Sequence, residues 1–134
     1  MVDLHQLLDP FASRLGIETL SMQDGMAELT VELIPELLNA AGMAHGGLMA
    51  TLVDCAAGTA AFTAMAEDKM PVTTDFNLTC LKACFQGFLT AKSKVVHRGR
   101  RLMHCEVEVY REQILVARGA VSFMVIDRPV MKAQ

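Results

Sequence analysis

From Gly46 to Ala66 the only charged residue is Asp54, set among alanine, glycine, threonine and leucine. A lone carboxylate with two turns of apolar helix on either side does nothing for packing. An apolar setting disfavours its ionised form, which suits it to take up a proton near neutral pH. The plainer alternative is a carboxylate satisfied by Thr51 or by neighbouring backbone. Upstream stand Asn39 and the run His45-Gly46-Gly47. The unpaired amides of a helix N-terminus offer hydrogen bonds and a positive dipole end to an oxygen that gains negative charge. Glycine at positions 46 and 47 leaves that end open to a close approach by a carbonyl group. His45 stands where an N-cap residue sits, although histidine is also the common base near neutral pH. A positioning role is preferred for it, with a structural histidine bonded to the loop from Asn39 still open. Alone, Asn39 reads as a turn residue, and it gains meaning only beside Asp54 and the two glycines.

A second cluster is basic. His97-Arg98-Gly99-Arg100-Arg101 falls at a predicted hairpin tip and is the only dense positive run in a chain of net charge -3. Arg98, Gly99, Arg100 and Arg101 suit the grip of phosphates, or equally a solvated turn that protects a sheet edge. Lys69 and Lys82 are candidates to extend the patch. The acidic balance gives no field to gather nucleic acid or an anionic membrane, so neither is expected as a partner. The apolar run around Asp54 reads as a buried helix and not a membrane span. It is rich in small residues, and the carboxylate would cost about 2.5–3.5 kcal/mol at the bilayer centre. The first residues lack a secretory pattern, and Cys55, Cys80, Cys84 and Cys105 form no C-x-x-C pair. They read as reduced, mostly buried small hydrophobes in a cytoplasmic protein. No phosphate loop, dinucleotide fingerprint, zinc spacing or serine-histidine-aspartate elbow occurs, so neither a metal nor a redox cofactor is expected.

The elements that must position these residues follow from periodicity. With 134 residues, 52% of them hydrophobic, the chain reads as a single domain over 1–134. No tryptophan and ten methionines predict a core of aliphatic, methionine and alanine side chains and close helix-to-sheet packing. Leu4, Leu7, Leu8 and Phe11 mark an amphipathic helix from Val2 to about Arg14, bent or divided by Pro10. Leu15 to Met22 is a predicted strand, Asp24-Gly25 a tight turn, and Met26 to Leu33 a second strand. In it Ala27, Leu29, Val31 and Leu33 face inward, and Glu28, Thr30 and Glu32 face outward. Pro35 ends it, and residues 36–44 form a loop. The helix opening at His45-Gly46-Gly47 runs to about Ala66 with no polar face. Further strands are predicted at Val72–Leu81, Gly87–His97, Leu102–Arg111 and Ile114–Ile126. About six strands in hairpin succession and one apolar helix imply an α+β chain. Its economical form is a curved antiparallel sheet wrapped around the helix, with a second subunit covering what remains exposed.

That is the hotdog architecture, and the motif agrees. Asn39, His45-Gly46-Gly47 six residues on, and Asp54 nine residues past the histidine resemble the phenylacetate-type and human-type thioesterase subgroup of the hotdog superfamily. The strand Pro71-Val72-Thr73-Thr74-Asp75-Phe76-Asn77-Leu78 continues the resemblance, which extends in register over nearly the whole chain. It implies hydrolysis of an acyl-coenzyme A thioester, aromatic or medium-chain, with no cofactor. It also implies a homodimer with shared sites, assembling to a homotetramer. Asn39 and Gly46 would hold and polarise the thioester carbonyl, with Asp54 as base or nucleophile. Thr73, or else Thr74, would orient the attacking water, and His45 and Gly47 are kept in the site on resemblance. Other readings on this fold are an acyl-thioester dehydratase or hydratase and a non-catalytic acyl-coenzyme A binder.

Overall fold

Alternating apolar and polar residues over residues 69–127 make four long strands, and the computed structural model, which describes residues 10–129, pairs all of them antiparallel. The elements are α1 (Pro10–Arg14), β1 (Glu18–Gln23), β2 (Met26–Glu32), a 3-10 turn (Pro35–Leu37), α2 (Gly46–Thr63), β3 (Lys69–Cys80), β4 (Phe88–Arg98), β5 (Leu102–Arg111) and β6 (Ile114–Asp127). One six-stranded sheet results, ordered β1-β2-β4-β5-β6-β3, with α2 packed against all six strands. This is the hotdog fold expected from the sequence. Leu4, Leu7 and Leu8 of the expected first helix lie outside the described residues, and Phe11 is exposed.

The hairpin between β1 and β2 forms as predicted. Asp24 and Gly25 both have positive φ (50° and 78°), the two-residue turn whose twist matches that of the flanking strands. Thr30 departs from its predicted wet position. It is covered between Glu18 of β1 and Thr90 of β4, and its Oγ1 donates to the carbonyl of Leu89 at 3.0 Å. A hydroxyl can be covered this way because the neighbouring strand satisfies it.

Helix and sheet meet closely through small residues. Leu52, Val53, Ala56, Ala57, Ala60 and Ala61 have no solvent exposure, and burying Leu52 and Val53 contributes about 1.5–3 kcal/mol each. Ser93 of β4 donates its hydroxyl to the carbonyl of Ala56 at 2.6 Å. A Cβ added at Gly119 would stand 2.9 Å from Val53 Cγ1, so glycine there admits the helix. α2 is nevertheless not buried all round, as its composition suggested. Gly47 is exposed, and Thr51, Asp54, Cys55, Gly58 and Phe62 are half-buried, because the sheet curls around only part of its circumference. Beside this open face runs β3, a twelve-residue edge strand. No helix among the described residues is long and apolar enough to cross a membrane.

The cysteines divide. Cys84 and Cys105 are buried, Cys55 is half-buried and Cys80 is exposed, and none of the four is in a disulfide. Burial pushes the Cys105 thiol up to about 12, which makes it an inert core residue.

Candidate active site

His45 caps α2. Its backbone is extended (φ -64°, ψ 136°), and its Nδ1 accepts the amide of Gly47 at 2.8 Å. An accepting Nδ1 makes the ring neutral with its proton on Nε2. The positioning role is therefore visible as a helix cap. It also gives Gly47 a structural reason, since a Cβ there would stand 3.0 Å from His45 Nδ1. Gly47 N–H is taken up by the cap, whereas Gly46 N–H has no partner among the described residues and a Cβ at Gly46 would meet nothing within 4 Å. Of the two glycines, Gly46 is the open donor.

Asn39 lies in the same corner. Its Oδ1 accepts the amides of Ala41 at 2.9 Å and Met43 at 3.1 Å, and its own amide donates to the Met43 carbonyl at 2.7 Å. Two N–H groups aimed at one side-chain atom identify that atom as oxygen. The turn thus consumes the acceptor of Asn39 and leaves its NH2 as a fixed donor. The loop is tied to the helix entrance through His45 N–H to Leu37 O (3.1 Å) and Ala44 N–H to Cys84 O (2.7 Å).

Asp54 sits in the middle of α2, half-buried, and Thr73 Oγ1 donates to its Oδ1 at 2.8 Å. Thr51, the alternative partner, instead donates to the carbonyl of Gly47 at 2.8 Å. The choice between Thr73 and Thr74 turns on a bulge in β3. Thr73 pairs with Phe123 and Asp75 with Ser122, so Thr74 is the extra residue, and its hydroxyl reaches the carbonyl of Ser122 at 3.2 Å. Replacing Thr73 with alanine should lower kcat roughly tenfold, the effect of one hydrogen bond to a charged group at about 1.5 kcal/mol. Thr74→Ala should stay within about twofold. Equal losses in steady-state rates would remove the distinction.

The basic run occupies the other end of the sheet. α2 begins near the segment leading into β4, where Ala44 N–H meets Cys84 O, and ends near the other end of β4, where Gly25 N–H meets Thr63 Oγ1 and Val95 N–H meets Gly25 O. Arg98, Gly99, Arg100 and Arg101 follow at the far end of β4, about 33 Å from its start at 3.3 Å per residue. They do not join Asn39 and Gly46 within one chain. Lys69 does not extend the patch either, since it pairs with Asp127, and Lys82 belongs to the Gly46 end. Around the helix, Met49 is core, Met65 and Phe76 are partly buried against it, and Phe62 is half-buried. A depression of about 210 Å³ on the convex face, lined by Lys92, Lys94, Glu106 and Arg118 among others, shares no residue with this constellation.

A six-stranded antiparallel sheet closed on one long helix is the architecture of the hotdog thioesterases. The chain belongs to the Thioesterase superfamily, whose family model matches residues 41–117. It is 29% identical over 106 residues to the acyl-coenzyme A thioesterase PaaI of Escherichia coli, covering 78% of this chain and 74% of that one. A conserved Pseudomonas aeruginosa protein of solved structure is 29% identical with a TM-score of 0.89, over 91% of this chain and 98% of the other. A mutant of the phenylacetic acid degradation protein PaaI from Thermus thermophilus superposes with a TM-score of 0.81 at 27% identity, over 87% and 98% of the two chains.

Proposed function

We propose that this thioesterase hydrolyses an acyl-coenzyme A thioester, aromatic or medium-chain, to the free acid and coenzyme A. The observation that carries the reading is the 2.8 Å hydrogen bond from Thr73 to Asp54 on the helix whose N-terminus leaves Gly46 N–H open. The NH2 of Asn39 and the amide of Gly46 polarise the carbonyl, and these contacts strengthen as its oxygen becomes an oxyanion. Water, oriented by Thr73, attacks the carbonyl carbon while Asp54 takes its proton. The carbon–sulfur bond then breaks, and the proton passes to the departing thiolate. Similarity to the Escherichia coli acyl-coenzyme A thioesterase supports the substrate class.

The reading includes a homodimer with shared sites, assembling to a homotetramer. The open face of α2 and the twelve-residue edge of β3 lie side by side and support it. Four cysteines outside any disulfide fit a reducing compartment, and the cytoplasm is proposed on that ground. A thiol-reactive dye added with acyl-coenzyme A tests the reaction class. Free thiol should appear in step with acid, and a dehydratase or a binding protein would release none.

Arg98, Gly99, Arg100 and Arg101 are proposed to grip the coenzyme A phosphates beside the partner's Gly46 end. Replacing Arg100 and Arg101 together with alanine should raise KM for acyl-coenzyme A roughly tenfold, as expected from losing one charge-assisted hydrogen bond. KM for an acyl-pantetheine lacking the nucleotide should not change. A like response of both substrates would sink the clamp.

A further inference from the structure

Nine glycines occur in the chain, and seven are explained by the fold alone. Gly16, Gly25, Gly42 and Gly87 have positive φ, and at Gly47, Gly99 and Gly119 a Cβ would stand 3.0 Å or less from another atom. Gly46 and Gly58 remain. Gly46 is the open donor already described. At Gly58 the nearest atoms to an added Cβ belong to the ring of Phe123 at 3.8 Å, an ordinary contact. Glycine is among the poorest helix formers, so at mid-helix it gives this fold nothing that alanine would not improve.

Its position gives the reason. Asp54, Gly58 and Phe62 succeed one another at four-residue steps, one line along the helix surface. All three are half-buried, so the line borders the open face, with a side-chain-free gap between the carboxylate and the aromatic ring. In the proposed homodimer, two such helices packed antiparallel about a two-fold axis would account for what faces the gap. If Asp54 lies beside Gly46 of the partner subunit, the axis passes the helix at Ala50, midway between them. Gly58 then falls opposite position 42 of the partner, ahead of the residue where α2 begins. No helix backbone approaches it there, and the gap faces the loop that carries Asn39.

We infer that Gly58 holds open the space for the acyl group and so sets the bulkiest acyl chain the site accepts. The inference rests on the thioesterase reading. With the carbonyl held by Asn39 and Gly46 of the partner subunit beside Asp54, the acyl group passes over Gly58 toward Phe62, about 12 Å from Asp54 along the axis. A phenylacetyl or medium-chain group fits that span.

The test uses acetyl-, hexanoyl- and phenylacetyl-coenzyme A with Gly58→Ala and Gly58→Val. Affinities are measured by calorimetry in the Asp54→Asn background, and kcat/KM is measured with Asp54 present. Because one methylene in an apolar pocket is worth roughly tenfold or more, Gly58→Ala should weaken phenylacetyl-coenzyme A by about that factor and Gly58→Val by more. Acetyl-coenzyme A should stay within about twofold. The Tm of Gly58→Ala should hold or rise. Equal losses for all three substrates, no loss for any, or dissociation of the variants in sedimentation would overturn the inference. A protein that hydrolyses nothing yet shows the size-dependent loss of affinity retains the inference and loses the hydrolytic reading. Hydrolysis with an unchanged substrate ratio does the reverse, and a protein that neither binds nor hydrolyses loses both.

Discussion

Asp54→Asn should abolish thioester hydrolysis for practical purposes, lowering kcat by roughly 10²–10⁴-fold, the usual contribution of a general base. The substitution isolates proton transfer. An asparagine carbonyl still accepts the hydrogen bond that Thr73 Oγ1 now gives to Asp54 Oδ1 at 2.8 Å, so the contact between α2 and β3 survives. Asn and Asp have similar helix propensity, and the position is half-buried rather than enclosed, so Tm should move little. What the amide lacks is the capacity to take a proton from water or to attack the carbonyl itself. KM should change much less than kcat, because neither the Asn39 nor the Gly46 donor is disturbed. Thiol release at saturating acyl-coenzyme A, with circular dichroism melting as the control, measures both. A kcat within a few-fold of the unmodified enzyme, at unchanged Tm, would take Asp54 out of the chemistry.

Much of the candidate site was legible because its signals are local. The spacing of Asn39, His45, Gly46 and Asp54 places a loop, a cap, a helix start and a mid-helix position without any long-range contact. The Asp24-Gly25 hairpin was legible for the same reason, since both residues tolerate positive φ. What stayed open, or failed, depends on neighbours that no local pattern encodes. The β3 bulge changes which residues share a face, so that Thr73 rather than Thr74 meets Asp54, and alternation alone gives no sign of it. Thr30 is covered because strands lie on both its sides. The open face of α2 could not be read from a helix without a polar side, because glycine, alanine, threonine and cysteine suit burial by a sheet and contact with another subunit equally well. Gly58 was passed over for the same reason. Only the space around a glycine separates one that the fold requires from one that it does not.

Two inactive variants should restore activity when their subunits exchange, if each site draws on two chains. Gly46 and Asp54 stand eight residues apart on one helix, about 12 Å along its axis. The base must reach a water that is itself about 3 Å from the carbonyl held at Gly46. A short aspartate side chain leaning toward the helix N-terminus does not span that distance, and here it is turned to Thr73. Two helices packed antiparallel about a two-fold axis solve the geometry. In the proposed dimer Asp54 of one chain would come beside Gly46 and Asn39 of the other, twice per dimer. The same axis would bring the far-end arginines of one chain toward the Gly46 end of the other, which a single chain keeps about 33 Å apart along β4. Asp54→Asn and Asn39→Ala homodimers each carry two defective sites. A heterodimer carries one site with both defects and one with neither. Mixed under conditions that exchange subunits, the two should approach about half the unmodified activity per heterodimer on this two-site model. Differently tagged subunits purified in tandem establish that heterodimers are present. Verified heterodimers as inactive as their parents would place each site within one chain, and a fully active monomer would do so more directly.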